Sequence, residues 1–181
     1  MVWPPPDRIP TDRLVLHRWQ PEHARLLKAA IDANLGHLQA WMPWAAAEPT
    51  ELPELCLRLA QFSADFDAGA RWLYGVFPPD ETAVLGGLGL HPTPDGVELG
   101  YWLRSDVTGM GYLTEAARAA LDLPGMVEVV IRCDPLNTRS AAVAERLGFR
   151  HTTTLVGNST TPSGAPRDTM IWQLSRQPTT T

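Results

Sequence analysis

The chain predicts an α/β (α+β) fold: one twisted, mixed, mostly antiparallel sheet of about seven strands, with helices on both faces. Three observations predict it. Between residues 72 and 103, apolar runs are divided only by short turns rich in Pro, Gly and Asp, which makes an antiparallel meander. From residue 97 the order becomes strand, glycine loop, helix, strand, helix, which requires a parallel crossover. The 181 residues, 44% hydrophobic and 19% charged, suffice for a single domain with a sizeable core.

In chain order, residues 1–10 contain Val2-Trp3-Pro4-Pro5-Pro6 and read as an extended, poorly packed lead-in. The domain is expected over 11–176, with 177–181 a frayed tail. Leu14-Val15-Leu16-His17-Arg18-Trp19 alternates as a first strand. Pro21 opens a helix to about Ile31, with Ala24, Leu27, Ala30 and Ile31 on one stripe. A second helix covers 34–41, and after Pro43 and Pro49 a longer one runs over 50–66. Strands follow at 72–77, 83–90 and 97–103. Gly86, Gly87 and Gly89 weaken the middle one and mark a bulge or a close approach. Then come a helix at 111–123, a strand at 127–133 and a helix at 138–147 stopped by Gly148. Two last strands, 152–156 and 169–174, flank a polar loop at 157–167.

Composition narrows the function. A net charge of −5 argues against a nucleic-acid binder. Cys56 and Cys133 are isolated, so neither a disulfide framework nor a zinc site is expected, and both read as reduced core residues. His17, His23, His37 and His151 show no metal-ligand spacing, and no metal is expected. No apolar run has bilayer length and residues 1–10 carry no signal-peptide pattern, so no membrane partner and a cytoplasmic location are expected.

The chemistry is concentrated between Tyr101 and Ala120. Gly109 and Gly111 fall where a strand gives way to a helix. There glycine permits close backbone approach, and the free N–H groups of the first helical turn make an anion site. The N–H groups of Gly109, Met110, Gly111, Tyr112 and Leu113 would serve it, with Arg104 and Arg118 the nearest cations in sequence.

These residues carry a family resemblance. Thr108-Gly109-Met110-Gly111-Tyr112-Leu113 resembles the pyrophosphate loop of the GNAT N-acetyltransferase superfamily. Gly100-Tyr101-Trp102-Leu103, Gly111-Tyr112-Leu113-Thr114-Glu115-Ala116 and Trp41-Met42-Pro43-Trp44 are similar to its RimJ/RimL-like branch, which acetylates ribosomal-protein N-termini. A second block, from Ile131 through Asn137 and Ser140 to Leu147-Gly148-Phe149, has that family's spacing. Two positions depart from it: Thr108 replaces the usual Gln or Arg, and Leu113 the usual Gly or Ala. Backbone amides are unaffected, but a side-chain contact to phosphate is lost.

The resemblance implies a single-domain GNAT fold and an acetyl-CoA-dependent transfer to a primary amine, by direct attack on the thioester in a ternary complex. The implied acceptor is a protein or peptide N-terminus, such as that of a ribosomal protein. The pantetheine arm would lie along Trp102 and Leu103 as an added strand, and the Leu103 N–H would stabilise the oxyanion. Asn137 is well placed as a helix N-cap, and in the resembled family this Asn bonds the pantetheine arm. Ser140, one turn later, is a candidate catalytic and cofactor-binding residue whose hydroxyl would protonate or hydrogen-bond the leaving thiolate, or else bonds its own backbone. Glu98 stands alone in an apolar strand, and a carboxylate on this strand often takes the amine's proton in that family. It reads equally as a solvent-facing or ion-paired residue. His91 is a rival base.

An α-amine (pKa ~7.8) is neutral at pH 7 roughly 400 times more often than a lysine (pKa ~10.4), about 3.5 kcal/mol in its favour. Two alternatives stay open. One is a small amine acceptor (polyamine, amino acid or aminoglycoside), for which Glu48, Glu51, Glu54, Asp65 and Asp67 would form an acidic wall; they read equally as a solvated helix face. The other is a non-catalytic acyl-CoA-binding regulator. Trp41, Trp44, Trp72, Tyr74 and Tyr101 are cleft or core candidates, with Trp41 and Trp44 also candidate homodimer contacts.

Overall fold

In the computed structural model, residues 4–161 and 164–176 are described; the readings at 1–3 and 177–181 lie outside them. The strands are β1 (Arg8–Pro10), β2 (Val15–Arg18), β3 (Trp72–Phe77), β4 (Gly86–Thr93), β5 (Gly96–Leu103), β6 (Glu128–Cys133), β7 (Arg150–Thr160) and β8 (Pro166–Ser175). The helices are α1 (Ala24–Asp32), α2 (Leu35–Trp41), α3 (Leu52–Asp67), α4 (Tyr112–Leu121) and α5 (Thr138–Arg146). The sheet order is β1-β2-β3-β4-β5-β6-β8-β7, with β5–β6 the parallel pair and the other neighbours antiparallel.

Each face of the sheet buries its own cluster. On one side Leu16, Val76, Leu88, Leu90, Leu99 and Ile131 pack against Ala116, Ala117 and Ala120 of α4 and Ala144 of α5. Alanines at these positions let the helices approach the sheet closely. On the other side Leu27, Ile31, Leu38, Leu55 and Leu59 of α1–α3 pack with Trp19, Phe77 and Val84. No helix among the described residues is long and apolar enough to cross a membrane.

The structure corrects five local expectations. Among the described residues the sheet has eight strands, because Arg8–Pro10 pairs with β2. That lead-in is also better packed than expected: Pro5 is buried and the Pro6 carbonyl accepts from the Tyr74 hydroxyl at 2.8 Å. Strand β4 starts and ends three residues late, running through Pro92 to a tight Pro94-Asp95 turn. The bond from Arg104 N to Leu85 O sets the phase of the β4–β5 ladder, and in that phase Pro92 opposite Val97 is a non-hydrogen-bonded pair. The missing proline N–H therefore costs the ladder nothing. No bulge occurs at the β4 glycines, since the register runs unbroken from Gly86–Leu103 to Thr93–Gly96. Finally, most of the expected 157–167 loop is strand: Ser159 and Thr160 pair with Arg167 and Pro166 after a register shift.

The feature that positions the site lies between β5 and β6. They pair only at Val97–Val129 and Glu98–Val130, at their N-terminal ends. Beyond that they splay, and the same ladder phase turns the N–H groups of Tyr101 and Leu103 away from β4, into the gap.

Candidate active site

A cavity of about 780 Å³ opens at this splay. Its walls are the end of β5, the Thr108–Thr114 loop and helix start, and α5, under a roof from α2 that includes His37 and Trp41. Gly109 (φ +83°) and Gly111 (φ +79°) both occupy the left-handed region, so the glycines are required by the turn. Gly111 is the N-cap of α4, and the first helical bond is Glu115 N to Gly111 O. None of the N–H groups from Gly109 to Thr114 donates to a described residue. These unsatisfied donors and the helix dipole make the site favourable for a multiply charged anion.

Side chains remote in sequence hold the loop in place. Arg13 donates from Nη1 to the Met110 carbonyl (3.0 Å) and from Nε to Glu115 (2.7 Å), and stacks over Tyr112 at 4.7 Å. Glu115 also accepts from Thr11 Oγ1 (2.6 Å) and Arg13 N (2.9 Å). Burial opposes ionisation of Glu115, but these donors outweigh it and hold its pKa low. Before the loop, buried Asn34 accepts from both Ser105 N (2.8 Å) and Ser105 Oγ (2.7 Å).

Positive charge comes from α5 and not from the arginines near the loop in sequence. Arg104 is paired with Asp106, and Arg118 does not line the cavity. Arg139 and Arg146, two turns apart on one face of α5, do. Arg139 reaches Thr108 Oγ1 at 3.4 Å and Arg146 reaches Thr114 Oγ1 at 3.4 Å. Arg139 thus sets a guanidinium beside the threonine that replaces the loop's usual Gln or Arg.

Asn137 caps α5, accepting from Ser140 N at 3.2 Å, and lines the cavity with its amide NH2 free of any described partner. The Ser140 hydroxyl donates to the Tyr101 hydroxyl (3.2 Å), which donates to the Ser140 carbonyl (3.2 Å). Burial pushes the Tyr101 phenol up to about 12, with the Ser140 bond acting the other way. Cys133 is free, buried at the end of β6, and raised by burial. Trp102 and Leu103 line the cavity with Tyr101.

A second cavity, about 510 Å³, lies on the α1–α3 side and meets the first at Met42, Tyr101 and Trp102. Its floor is the sheet at Gly87, Gly89 and Gly100, and His91 stands over it. A Cβ at Gly89 would come within 2.7 Å of His91 Nε2, and one at Gly87 within 2.5 Å of Trp102 Nε1. The β4 glycines therefore serve close side-chain approach. Neither His91 ring nitrogen is hydrogen-bonded to a described residue, and burial lowers its pKa, Glu98 acting against this and Arg71 with it.

Glu98 is directly opposite His91 and shares its face. Its carboxylate accepts from Arg132 Nε at 2.9 Å, and it lines neither cavity. The acidic candidates do not line them either. Glu48 is buried against Arg58 and Thr50 N, and Asp65 is taken by Arg71 and Gln61. Trp41 stacks under Arg167 at 5.6 Å, Trp44 packs on Trp102 at 5.9 Å, and Trp72 is core.

Outside the site, His17, His23 and Glu81 gather ligand atoms within 4.8 Å, a cluster that spacing does not reveal. His23 Nδ1 accepts the Gln20 N–H (3.2 Å), which puts the neutral ring's proton on Nε2, and Glu81 is shared by Arg8 and His17. That arrangement suits a hydrogen-bonded network better than a metal.

The splayed parallel pair, the glycine loop and the capped second helix are what an acyl-thioester transferase is built around, and the match is direct. Residues 13–150 match the acetyltransferase (GNAT) domain, and the chain belongs to that family. Its fold is shared with RimL, a ribosomal L7/L12 α-N-protein acetyltransferase solved with coenzyme A in disulfide linkage to a cysteine (TM-score 0.85, 21% identity, 93% of this chain and 97% of that one). It is shared with the microcin C7 self-immunity acetyltransferase MccE, solved with acetyl-CoA and AMP (TM-score 0.84, 21% identity, 92% and 94%). A Salmonella typhimurium acetyltransferase that modifies the N-terminal serine of L7/L12 is also similar (TM-score 0.81, 20% identity, 94% and 99%). No curated protein sequence matches the chain.

Proposed function

We propose that this GNAT enzyme transfers the acetyl group of acetyl-CoA to the N-terminal α-amine of a protein or peptide. The observation that carries this is the meeting of two cavities at Tyr101 and Trp102: one ringed by anion-binding backbone amides and arginines, the other apolar and lined by no carboxylate among the described residues. The first suits a diphosphate carrier. The second offers a polyamine or aminoglycoside nothing to pair with, whereas a lone amine is kept neutral by desolvation and by Arg58 and Arg71. The names of the structural neighbours support the same acceptor class.

In this reading Gly109–Leu113 amides bind the pyrophosphate, with Arg139 and Arg146 adding charge. Asn137 Nδ2 and the free backbone groups of the β5 edge beside Trp102, those of Tyr101 and the Leu103 carbonyl, hold the pantetheine arm, and the Leu103 N–H receives the oxyanion. The amine nitrogen forms its bond to the thioester carbonyl carbon, the carbon–sulfur bond breaks, and His91 takes the amine's proton. The Ser140 hydroxyl turns from Tyr101 to hydrogen-bond the departing thiolate, which leaves as the thiolate and takes its proton from solvent, into which His91 releases the proton of the amine. The free ring nitrogens of His91 and the engaged carboxylate of Glu98 favour His91 as the base. Trp41 and Trp44 act as cleft walls; a homodimer is not needed to complete the site. A cytoplasmic enzyme with no nucleic-acid partner fits the composition.

The test is thiol release from acetyl-CoA by the purified protein with peptides, N-terminally blocked peptides, and spermidine. Turnover with free N-termini alone supports the reading; turnover with spermidine alone, or none, overturns it. Within the reading, Ser140→Ala is expected to lower kcat about tenfold, because a thiolate of pKa ~8.5 needs only modest help. Acetyl-CoA affinity should be unchanged by calorimetry.

A further inference from the structure

Resting on that reading, we infer that the acceptor cavity receives the first side chain of the acceptor and that this side chain is large and apolar, of the phenylalanine, tryptophan or leucine class. The cavity is much roomier than a methyl or hydroxymethyl group requires, at about 510 Å³. Its walls include Trp19, Trp44, Phe62, Leu73 and Trp102. Its floor is open at Gly100, where an added Cβ would meet only His91 Nε2 at 3.8 Å, while at Gly87 and Gly89 the rings of Trp102 and His91 fold down onto the sheet and shape the cavity's walls.

The polar lining is equally selective. Arg58 and Arg71 are cations already engaged by Glu48 and Asp65, and His91 Nε2 leans over Gly89 and Gly100. A lysine or arginine first side chain would meet two guanidiniums and no carboxylate. A serine hydroxyl would leave the aromatic walls uncovered, forfeiting the apolar burial that distinguishes acceptors. The ring of a phenylalanine covers them, and edge-to-face contact with Trp44 and Trp102 adds to it.

The experiment is a series of peptides identical except for the first residue (Ser, Ala, Leu, Phe, Trp, Lys), assayed with the full-length protein and acetyl-CoA for kcat/KM. Phe, Trp and Leu are expected to exceed Ser by about 30-fold, with Lys the poorest. Serine or alanine equal to or better than phenylalanine overturns the inference while leaving peptide acetylation standing. Two variants probe the walls. Trp44→Ala, which removes a half-exposed ring, is expected to reduce the Phe-to-Ser ratio at least fivefold through acceptor KM. Gly100→Val fills the floor and is expected to penalise Phe more than Ser. A ratio unmoved in both variants sinks the assignment. If no peptide is acetylated but small amines are, the N-terminal reading falls separately. Phenethylamine preferred over ethanolamine then still supports an apolar acceptor cavity, and the reverse order overturns it.

Discussion

Replacing His91 by glutamine is expected to lower kcat/KM by about 100- to 1000-fold, the range that loss of a positioned base produces. The glutamine keeps the polar volume over the glycine floor and removes the titrating nitrogen. The pH profile gives the sign. Burial holds the His91 pKa below the usual 6.5, and the ring accepts a proton only when neutral. Below an amine pKa of ~7.8, wild-type kcat/KM should fall tenfold per pH unit, steepening to a hundredfold per unit once His91 protonates. The glutamine variant should keep the shallower slope throughout. Glu98→Gln is expected to cost less than about threefold, because its carboxylate is held by Arg132 outside both cavities and contributes no base strength there. A reversed pair of results would make Glu98 the base.

Valine at Gly109 or Gly111 is expected to weaken acetyl-CoA binding by about 100-fold or more. A β-branched residue at φ near +80° carries ~1–3 kcal/mol of backbone strain. Relieving that strain rotates the neighbouring amides, the ones proposed to bind the diphosphate. At Gly109 nothing lies within 4 Å of an added Cβ, so the side chain would also project into open space beside the loop. Both valines sit on an exposed loop end, so the loss should appear in calorimetric affinity while thermal stability changes little. Affinity within threefold of wild type would place the diphosphate elsewhere.

The loop, the second block and nearly all the elements could be read from the chain because local rules govern them. Gly109 and Gly111 announce a turn, Asn137 announces a cap, alternation reveals β2, and turn residues bounding apolar runs reveal β3 and β5. What sequence reasoning missed depends on pairs far apart. By pattern Glu98, alone in an apolar strand, is the candidate base and His91 its rival, and as cross-strand partners they share a face. Only Arg132, supplied by another strand, separates them. The arginines of α5 read as an ordinary polar helix face until the α4–α5 packing turns them toward the loop. The Ser/Thr-rich 157–160 segment reads as loop by composition, yet an exposed edge strand has no apolar face to reveal. Asn34 had a local signal, its place at the head of α2, but its partner Ser105 lies across the fold.

The hold that Thr11, Arg13 and Glu115 exert on the glycine turn ties the segment just before β2 to the loop proposed to bind the cosubstrate. Shortening the protein before Leu14, or fusing a bulky tag there, is then not a neutral convenience: it loosens a handle whose other end carries the thioester. Variation at Thr11, Arg13 or Glu115 would accordingly be expected to show as altered acetyl-CoA demand, with the proposed catalytic groups untouched.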